Sequence, residues 1–280
     1  MGNDKNEFRF FDPRESPAKI YGLADNGYCR VPEHVLAQMS AGLRGLALQP
    51  SGGRVRFHTD SDKLYVKLAV FIEPSMPHMP SSGSSGLDFF EGVGTDMKYI
   101  GTRQPECGQR KLEAEIPLTK GEKTVTVYLP LYNGIRSLAF GVEPGAAVTA
   151  PPLYTHEKPI VFYSSSITQG GSASRTSNSY CAMLARHFDS DFINLGFSGS
   201  AKGELYMAEY IAGLEMSCFV LDYDHNAPDA EYLRKTHYPF LQTVLDLQPG
   251  LPVIVLSKSD TRFSRADNER RDIVRDSCRL

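Results

Sequence analysis

Three short apolar runs in the second half of the chain each stop at a cluster of small polar residues. The runs are 160–163 (IVFY), 192–195 (FINL) and 218–221 (CFVL), and they lead into 164–171 (SSSITQGG), 196–200 (GFSGS) and 222–226 (DYDHN). A helical pattern follows each cluster, and residues 252–256 form a fourth apolar run. Strands that alternate with helices predict a parallel, doubly wound α/β sheet. The carboxyl ends of these strands, and with them the polar clusters, meet at one edge of such a sheet.

The polar clusters predict acyl-transfer chemistry at this edge. A hydroxyl at a strand end, close to the N-terminus of the following helix, is placed to act as a nucleophile. Glycine and amide groups from the neighbouring strand ends can donate hydrogen bonds to the oxyanion that develops on a carbonyl. An ordinary Ser/Gly-rich loop explains the first cluster equally well on its own, so the prediction depends on all three clusters together.

The three clusters resemble the sequence blocks of the SGNH (GDSL-type) hydrolases. Residues 164–168 align with the G-D-S-[I/L]-T block through their Ile-Thr pair, which places the nucleophile at Ser166. The oxyanion-hole glycine of the second block falls on Gly199, and the asparagine of the third block falls on Asn226. The resemblance implies that the backbone N–H groups of Ser166 and Gly199 and the side-chain amide of Asn226 hold the oxyanion.

Further motifs narrow the resemblance to one subgroup of this family. The subgroup has Y-G-S-S-I-T-Q-G-G, A-S-R, N-L-G-F-S-G and D-Y-D-H-N-A-P, which are matched by residues 163–171, 173–175, 194–199 and 222–228. Residues 86–90 (GLDFF) resemble the G-x-D-L-Y motif of a β-sandwich domain that precedes some of these hydrolases. The resemblance therefore implies two domains with different architectures.

The N-terminal half of the chain is rich in strand patterns. Short strand-like runs alternate with turn signals at 54–59, 64–72, 87–91, 111–116, 123–130 and 135–142. Many short strands with few helical patterns indicate a β-sandwich. We therefore predict an α/β protein with a β-sandwich over residues 1–150 and a flavodoxin-like, parallel α/β/α domain of the SGNH type over residues 155–280.

Two departures from the family pattern affect the expected site. Ser164 stands where the subgroup has glycine, so the turn would be strained if this position required a positive φ. The last block of the family, D-x-x-H, supplies the general base, and no such block follows Asn226. A serine hydroxyl without an adjacent base is a poor nucleophile. We therefore expect the α/β domain to be truncated at its C-terminal side and the 280-residue chain to be catalytically incomplete.

His225 is the possible substitute base. The D-x-x-H spacing occurs once, at 222–225, where it overlaps the asparagine block. A residue next to Asn226 in an extended segment points the other way, so a surface or sheet-packing role is favoured over a hydrogen bond to Ser166. His187 lies on the apolar stripe of a helix predicted at 179–188 and is expected in the core.

Composition and charge exclude several classes of protein. The formal net charge is −3 and the basic residues are scattered, which argues against a nucleic-acid partner. The five cysteines lack a C-x-x-C pair, so neither a disulfide framework nor a zinc site is favoured. The polar N-terminus and the lack of an apolar run near ~20 residues predict a cytoplasmic protein without a membrane anchor.

No cofactor or metal is expected from the sequence. Residues 196–203 lie between a strand and a helix but match neither the P-loop nor the dinucleotide-binding motif, so a nucleotide site is disfavoured. Asp222 and Asp224 are interpreted as solvated strand-end carboxylates rather than metal ligands, because no His or carboxylate cluster is expected beside them.

The predicted function is hydrolysis of a short acyl ester, with an acetyl group on a carbohydrate as the favoured substrate. The expected partner is accordingly a small-molecule or oligosaccharide ester, and the oligomeric state is left open. The alternative is a non-catalytic carbohydrate-binding protein that keeps the hydrolase scaffold without its general base.

Overall fold

The N-terminal part of the molecule is a β-sandwich, as predicted. The computed structural model describes residues 8–25, 27–258 and 264–279. The strands of this part are β1 (Arg9–Phe11), β2 (Lys19–Tyr21), β3 (Arg54–Thr59), β4 (Lys63–Val70), β5 (Leu87–Glu91), β6 (Lys98–Arg103), β7 (Lys111–Pro117), β8 (Lys123–Tyr128), β9 (Ile135–Val142) and β10 (Val148–Thr149). They form a four-stranded sheet in the order β1-β9-β4-β7 and a six-stranded sheet in the order β10-β3-β8-β5-β6, with β2 also paired to β3.

Both faces of the six-stranded sheet are buried. On β3, Val55 and Phe57 face the apolar core between the two sheets. Arg54 and Arg56 alternate with them and therefore lie on the outer face, yet both are 0% exposed. We call this the outer face of the six-stranded sheet. Its burial means that another part of the chain covers it.

The C-terminal part is built on a parallel sheet. Its strands are β11 (His156–Ser164), β12 (Ser190–Gly196), β13 (Cys218–Asp222) and β14 (Val253–Val255), in the order β12-β11-β13-β14. In the register of the sheet, Ser164 lies opposite both Gly196 and Asp222. The three strands therefore end side by side at one edge, as the sequence predicted.

The helices lie mainly on one side of the parallel sheet. They are α1 (Glu33–Leu36), α2 (Ala41–Ala47), α3 (Ser81–Ser84), α4 (Ser166–Gln169), α5 (Tyr180–Phe188), α6 (Leu205–Ala212), α7 (Ala230–Leu247) and α8 (Arg265–Ser277). One apolar core joins α1, α2, α6, α7 and α8 to the sheet. The opposite face of the sheet packs against α5 and, through Phe90 and Tyr128, against the outer face of the six-stranded sheet. The sandwich therefore takes much of the place of a second helical layer.

Helix α5 forms where predicted but faces the other way. Its small residues Cys181, Ala182 and Ala185 are buried against the sheet, because small side chains allow the helix to approach closely. The bulky stripe that was expected in the core is exposed, including Met183 at 53%. His187 is likewise exposed, so its predicted core position was wrong.

No helix of the described residues combines the length and the apolar character that a membrane span requires.

Candidate active site

The three serines at the end of β11 have different surroundings. Ser164 is buried, and its hydroxyl donates to the backbone carbonyl of Asp222 at the end of the neighbouring strand. It is the last residue of a regular strand and does not have a positive φ, so the strain considered for this position is not present. Ser165 is also buried and caps α4, with its hydroxyl accepting a weak hydrogen bond from the N–H of Ile167 at 3.4 Å.

Ser166 differs from the other two serines because its backbone is hydrogen-bonded whereas its hydroxyl is not. It is the first residue of α4, and its carbonyl accepts hydrogen bonds from the N–H of Gly171 at 2.7 Å and of Gly170 at 3.1 Å. Gly170 ends the helix at φ +101°, a conformation that suits glycine. The Ser166 hydroxyl is partly exposed and has no hydrogen bond to any described residue. Of the three serines, it is the one whose hydroxyl remains available to a substrate.

The loop after β12 is held at the same edge of the sheet. The N–H of Phe197 donates to the carbonyl of Ser164 at 2.9 Å. The side-chain amide of Asn226 donates to the carbonyl of Phe197 at 3.0 Å, which ties the third cluster to the second. An amide NH₂ has two protons, so this contact leaves one proton of Asn226 for another acceptor.

Gly199 lies in the same loop in the left-handed region. Its φ is +63°, and no heavy atom lies within 4 Å of the point where a Cβ would be. Its N–H donates to none of the described residues. The structure thus brings the loops of Ser166, Gly199 and Asn226 together, and each of the last two retains a donor.

A buried cluster of charged groups lies behind this edge. The Nε2 atom of His225 is 3.7 Å from Asp222 Oδ1 and 3.4 Å from Asp224 Oδ1. The residues Asp222 and Asp224 are 7% and 1% exposed, so their interpretation as solvated carboxylates was wrong. A histidine also accompanies them, contrary to expectation. A carboxylate is easier to bury when other groups pair with it, and here His225 does so.

The cluster has a direct electrostatic consequence at Asp222. The pKa of its carboxyl is raised from 3.8 to about 6, mainly by burial and to a lesser degree by the neighbouring Asp224. Attraction to His225 and the hydrogen bond from Ser164 act in the opposite direction. The Asp222 carboxyl therefore exchanges its proton in a range where most carboxylates are ionised.

His225 is directed at these carboxylates rather than at Ser166. Neither of its ring nitrogens forms a hydrogen bond with the Ser166 hydroxyl in the described part of the chain. Ligand atoms of Asp222, Asp224 and His225 all lie within 4.8 Å of one another, so the cluster could hold a cation. Asp224 also uses its other oxygen to accept from Ser257 Oγ at 2.7 Å and Lys258 N at 3.2 Å. Oδ1 of Asp222 and Oδ1 of Asp224, by contrast, are buried and have no hydrogen-bond partner among the described residues.

Comparison with known proteins identifies the family. Residues 157–279 match the GDSL-like lipase/acylhydrolase family, and residues 8–148 match the GxDLY domain, the N-terminus of SGNH_hydro-type esterases. The chain belongs to the SGNH (GDSL-like) hydrolases. The family that the sequence motifs predicted is thereby confirmed, and so is the GxDLY-type domain expected in the N-terminal half.

Solved structures of similar fold include hydrolases and an acyltransferase. A putative GDSL-like lipase from Bacteroides ovatus is 25% identical, with a TM-score of 0.86, and the match covers 97% of this chain and 82% of that one. A salicylyl-acyltransferase from a tetracycline biosynthetic pathway is 20% identical (TM-score 0.77, covering 98% and 81%). A family two carbohydrate esterase from Cellvibrio japonicus is 11% identical (TM-score 0.62, covering 97% and 85%). The last two comparisons show the fold alone. No curated protein sequence matches the chain.

In this SGNH hydrolase Asp88, the aspartate of residues 86–90, connects the sandwich to the loop that follows Ser166. Asp88 is 0% exposed, and its Oδ2 accepts from the N–H of Ser177 at 2.8 Å. The same oxygen is 3.5 Å from Nε of Arg175, the arginine of the A-S-R motif. Its other oxygen accepts from the hydroxyl of Thr102. Two motifs that are 87 residues apart in the sequence therefore form one contact between the two parts.

Gln169 and Tyr132 are two further residues that sequence reasoning did not identify. Gln169 is buried, and its Oε1 accepts from the N–H of Ser198 in the Gly199 loop at 3.0 Å. Its Nε2 donates to Gln49 Oε1, 2.8 Å away, in the segment that leads from α2 into β3 of the sandwich. Tyr132, also from the sandwich, donates its hydroxyl to the carbonyl of Ser166 at 3.2 Å. The position of Gln169 within the matched motif was a usable signal, whereas nothing in the local sequence distinguishes Tyr132.

Proposed function

We propose that this protein is a serine esterase that removes short acyl groups, with acetyl groups on a carbohydrate as its substrate class. The Ser166 oxygen adds to the ester carbonyl while its hydroxyl proton passes to water, and the N–H groups of Ser166 and Gly199 and the amide of Asn226 stabilise the oxyanion. The ester C–O bond then breaks, the sugar leaves as a protonated alcohol, and a water molecule hydrolyses the acyl-serine to the free acid and Ser166. The observation that carries the proposal is the free hydroxyl of Ser166 at a strand edge where the Gly199 loop and Asn226 are joined through Phe197 O. A preformed set of donors costs no rearrangement during the reaction, which makes such a site effective.

The substrate class is supported by the surroundings of the site and by the structural neighbours. Residues 74–84 of the sandwich line an open groove of about 510 Å³. Within this segment Met79 packs with Tyr132, whose hydroxyl contacts Ser166. The groove therefore lies on the side of the sandwich that reaches the nucleophile, where an extended substrate can bind. Two neighbours of similar fold are described as family two carbohydrate esterases, from Cellvibrio japonicus and Clostridium thermocellum.

The second candidate function is non-catalytic carbohydrate binding. One observation favours it: within the described residues, no base is hydrogen-bonded to the Ser166 hydroxyl. A site with a groove and oxyanion donors but without a base would bind an acylated sugar and turn it over slowly at most. Oxyanion donors and binding alone can still leave about 10³- to 10⁴-fold rate enhancement over water.

Labelling and kinetics together distinguish the two functions. The protein, checked by intact mass, is treated with a fluorophosphonate probe, and the labelled peptide is sequenced by mass spectrometry. A covalent adduct on Ser166, together with release of acetate from p-nitrophenyl acetate and from acetylated oligosaccharides, is the expected result. Longer acyl chains, such as p-nitrophenyl octanoate, should be cleaved more slowly.

The contrary outcome is equally clear. If the probe does not label Ser166 and no acetate is released, while acetylated oligosaccharides bind in calorimetry, the protein is a carbohydrate-binding protein. Faster cleavage of octanoyl than of acetyl esters would support esterase activity but refute the proposed preference for short acyl groups.

A further inference from the structure

Arg56 is a buried cation whose side chain has no hydrogen-bond partner in the part of the chain that the structure describes. It lies on β3, on the outer face of the six-stranded sheet, and is 0% exposed. Its guanidinium carbon is 4.0 Å from the ring centre of Tyr154 and 5.5 Å from that of Tyr21. None of its three side-chain nitrogens, Nε, Nη1 and Nη2, has a hydrogen-bond partner among the described residues. A guanidinium has five N–H donors, so this group is unusually poor in acceptors.

The neighbouring Arg54, by contrast, has both hydrogen-bond acceptors and an ion-pair partner for its guanidinium. It is equally buried, two residues earlier on the same strand face. It pairs with the carboxylate of Asp191 and donates to the carbonyls of Gly52 and Phe192, the latter at 3.0 Å. Its Nε donates to Tyr154 Oη at 3.3 Å. Asp191 is thus already paired, and two buried guanidinium groups share one carboxylate.

Thr126 provides a second unsatisfied group at the same place. It is the register partner of Arg56 on β8, so the two side chains point to the same face of the sheet. Thr126 is 0% exposed, and its Oγ1 has no hydrogen-bond partner in the described part of the chain. A hydroxyl can donate as readily as a guanidinium N–H. The pair therefore forms a niche of donors with an excess of one positive charge.

We propose that Arg56 and Thr126 bind a small monovalent inorganic anion of the chloride type at the junction between the sandwich and the parallel sheet. Buried charges are normally paired, because desolvation penalises an isolated ion heavily. Water could accept the N–H bonds but would leave the charge uncompensated. A monovalent anion meets both requirements.

The niche formed by Arg56 and Thr126 lies between the sandwich and the parallel sheet, and this position indicates the effect of a bound anion. Arg56 and Thr126 belong to the sandwich, whereas Tyr154 and Asp191 belong to the connecting segment and to β12. A groove of about 380 Å³ is lined in part by Tyr21 and Asp191, which contact Arg56 and Arg54, respectively. The anion would therefore stabilise the packing of the two parts and would leave ester hydrolysis at Ser166 unaffected.

Thermal unfolding in matched salts tests the proposal. The melting temperature is measured in sodium chloride and in sodium gluconate at equal ionic strength, since gluconate is too large for a buried niche. Chloride should raise the melting temperature by a few degrees in a saturable manner, as expected for a ligand that binds only the folded state. Equal melting curves in both salts would overturn the proposal.

Variants assign the effect to the niche. Arg56→Met keeps the stem over Tyr154 and removes the charge, so it should lose the chloride increment and be at least as stable as the wild type in gluconate. Arg136→Met, at an exposed position of β9, is the matched control and should keep the increment. Thr126→Val should raise the half-saturating chloride concentration about fivefold to tenfold, the value of one hydrogen bond. A chloride increment that survives in Arg56→Met would refute the assignment.

Crystals provide a test that does not depend on any variant folding. Wild-type crystals grown in sodium bromide should show an anomalous peak within hydrogen-bond distance of the Arg56 guanidinium. Ordered water without anomalous signal at this place, or a bromide peak without any chloride effect in solution, would count against a physiological anion site.

Discussion

Two regions of this molecule are rich in polar groups but differ in how many of these groups have hydrogen-bond partners. At the carboxyl edge of the parallel sheet, the Ser166 hydroxyl and the Gly199 N–H have no partner among the described residues. On the outer face of the six-stranded sheet, Arg54 and Asp88 are buried, and each has several partners. We propose that the free groups of the first region act on a substrate. In the second region Arg54 and Asp88 hold two parts of the chain together, whereas Arg56 and Thr126 on the same face have no hydrogen-bond partner among the described residues. Changes at the edge should therefore alter rates, and changes on the face should alter stability.

The largest expected effect is at the nucleophile. In a preparation that hydrolyses p-nitrophenyl acetate, Ser166→Ala should lower kcat by at least about 10³-fold, because the attacking group is removed. The free energy of unfolding should change by less than about 0.5 kcal/mol, since the hydroxyl has no partner to lose. Ser165→Ala is the matched control and should lose only about 1 kcal/mol of stability as a helix cap. Loss of activity in Ser165→Ala with Ser166→Ala still active would reverse the assignment.

The outer face gives the opposite pattern at Asp88. Asp88→Ala should lower the free energy of unfolding by about 3 kcal/mol, because the Ser177 N–H and the Arg175 guanidinium lose a buried acceptor. Urea denaturation measures this loss, and the exposed Asp96→Ala serves as the control. A stability equal to that of the control would show that the GxDLY aspartate does not hold the two parts together.

Asp222 lies at the edge of the parallel sheet, but its ionisation should affect the free energy of unfolding, as expected for residues of the outer face. Its folded pKa is raised from 3.8 to about 6, so between these values the folded state binds more protons than the unfolded state. The free energy of unfolding should therefore fall as pH rises from about 4 to about 6, by up to about 3 kcal/mol at 1.36 kcal/mol per pKa unit. Asp222→Asn cannot ionise and should be free of this loss.

Denaturation at several pH values, with the exposed Asp246→Asn as control, measures the effect. If Asp222→Asn and the wild type show the same pH dependence, then ionisation of Asp222 does not control the stability of the protein in this range.

Asn226 tests whether the edge acts on the rate alone. Asn226→Ala should lower kcat about 10²-fold, the usual effect of losing one oxyanion donor, with KM little changed. Gly199→Ala should also lower kcat, although the pocket has room for a methyl group, because alanine resists the φ of +63°. Steady-state kinetics separates the two constants. An increase in KM with kcat unchanged would identify Asn226 as a binding residue instead.

The smallest effect is expected at Tyr132, which lies in the sandwich but contacts the edge. Tyr132→Phe removes the hydrogen bond to the Ser166 carbonyl, a loss of about 1 kcal/mol, and should lower kcat about fivefold. Its stability should change by a similar small amount. If kcat is unaffected while stability falls, the sandwich supports the site only by packing. Residues of the edge would then affect the rate and residues of the sandwich only the stability.

Much of the fold followed from local sequence pattern. The strands at 54–59, 87–91 and 135–142 were predicted at their observed bounds, because alternation and turn residues act over a few neighbouring positions. The strands β1, β2 and β10 escaped prediction, since two or three residues give too little periodicity. Strand β6 is longer, but none of its residues is buried, so its sequence carries no apolar alternation. For α5 the helical period was predicted correctly, but the side of the helix that is buried was predicted wrongly. An amphipathic pattern does not reveal that Cys181, Ala182 and Ala185 allow a closer approach to the sheet than the bulky stripe does.

The sequence by itself determined the family, the order of the two parts and the edge at which the polar clusters converge. These properties depend on residue types at short spacings, which motifs and periodicity record. Only the tertiary structure decided which of the three serine hydroxyls is free, and that Asp222, Asp224 and Arg56 are buried. It also joined Asp88 to Arg175 and Tyr132 to Ser166. Burial and pairing depend on surfaces brought together from distant positions of the chain, and no local pattern encodes which surface covers which.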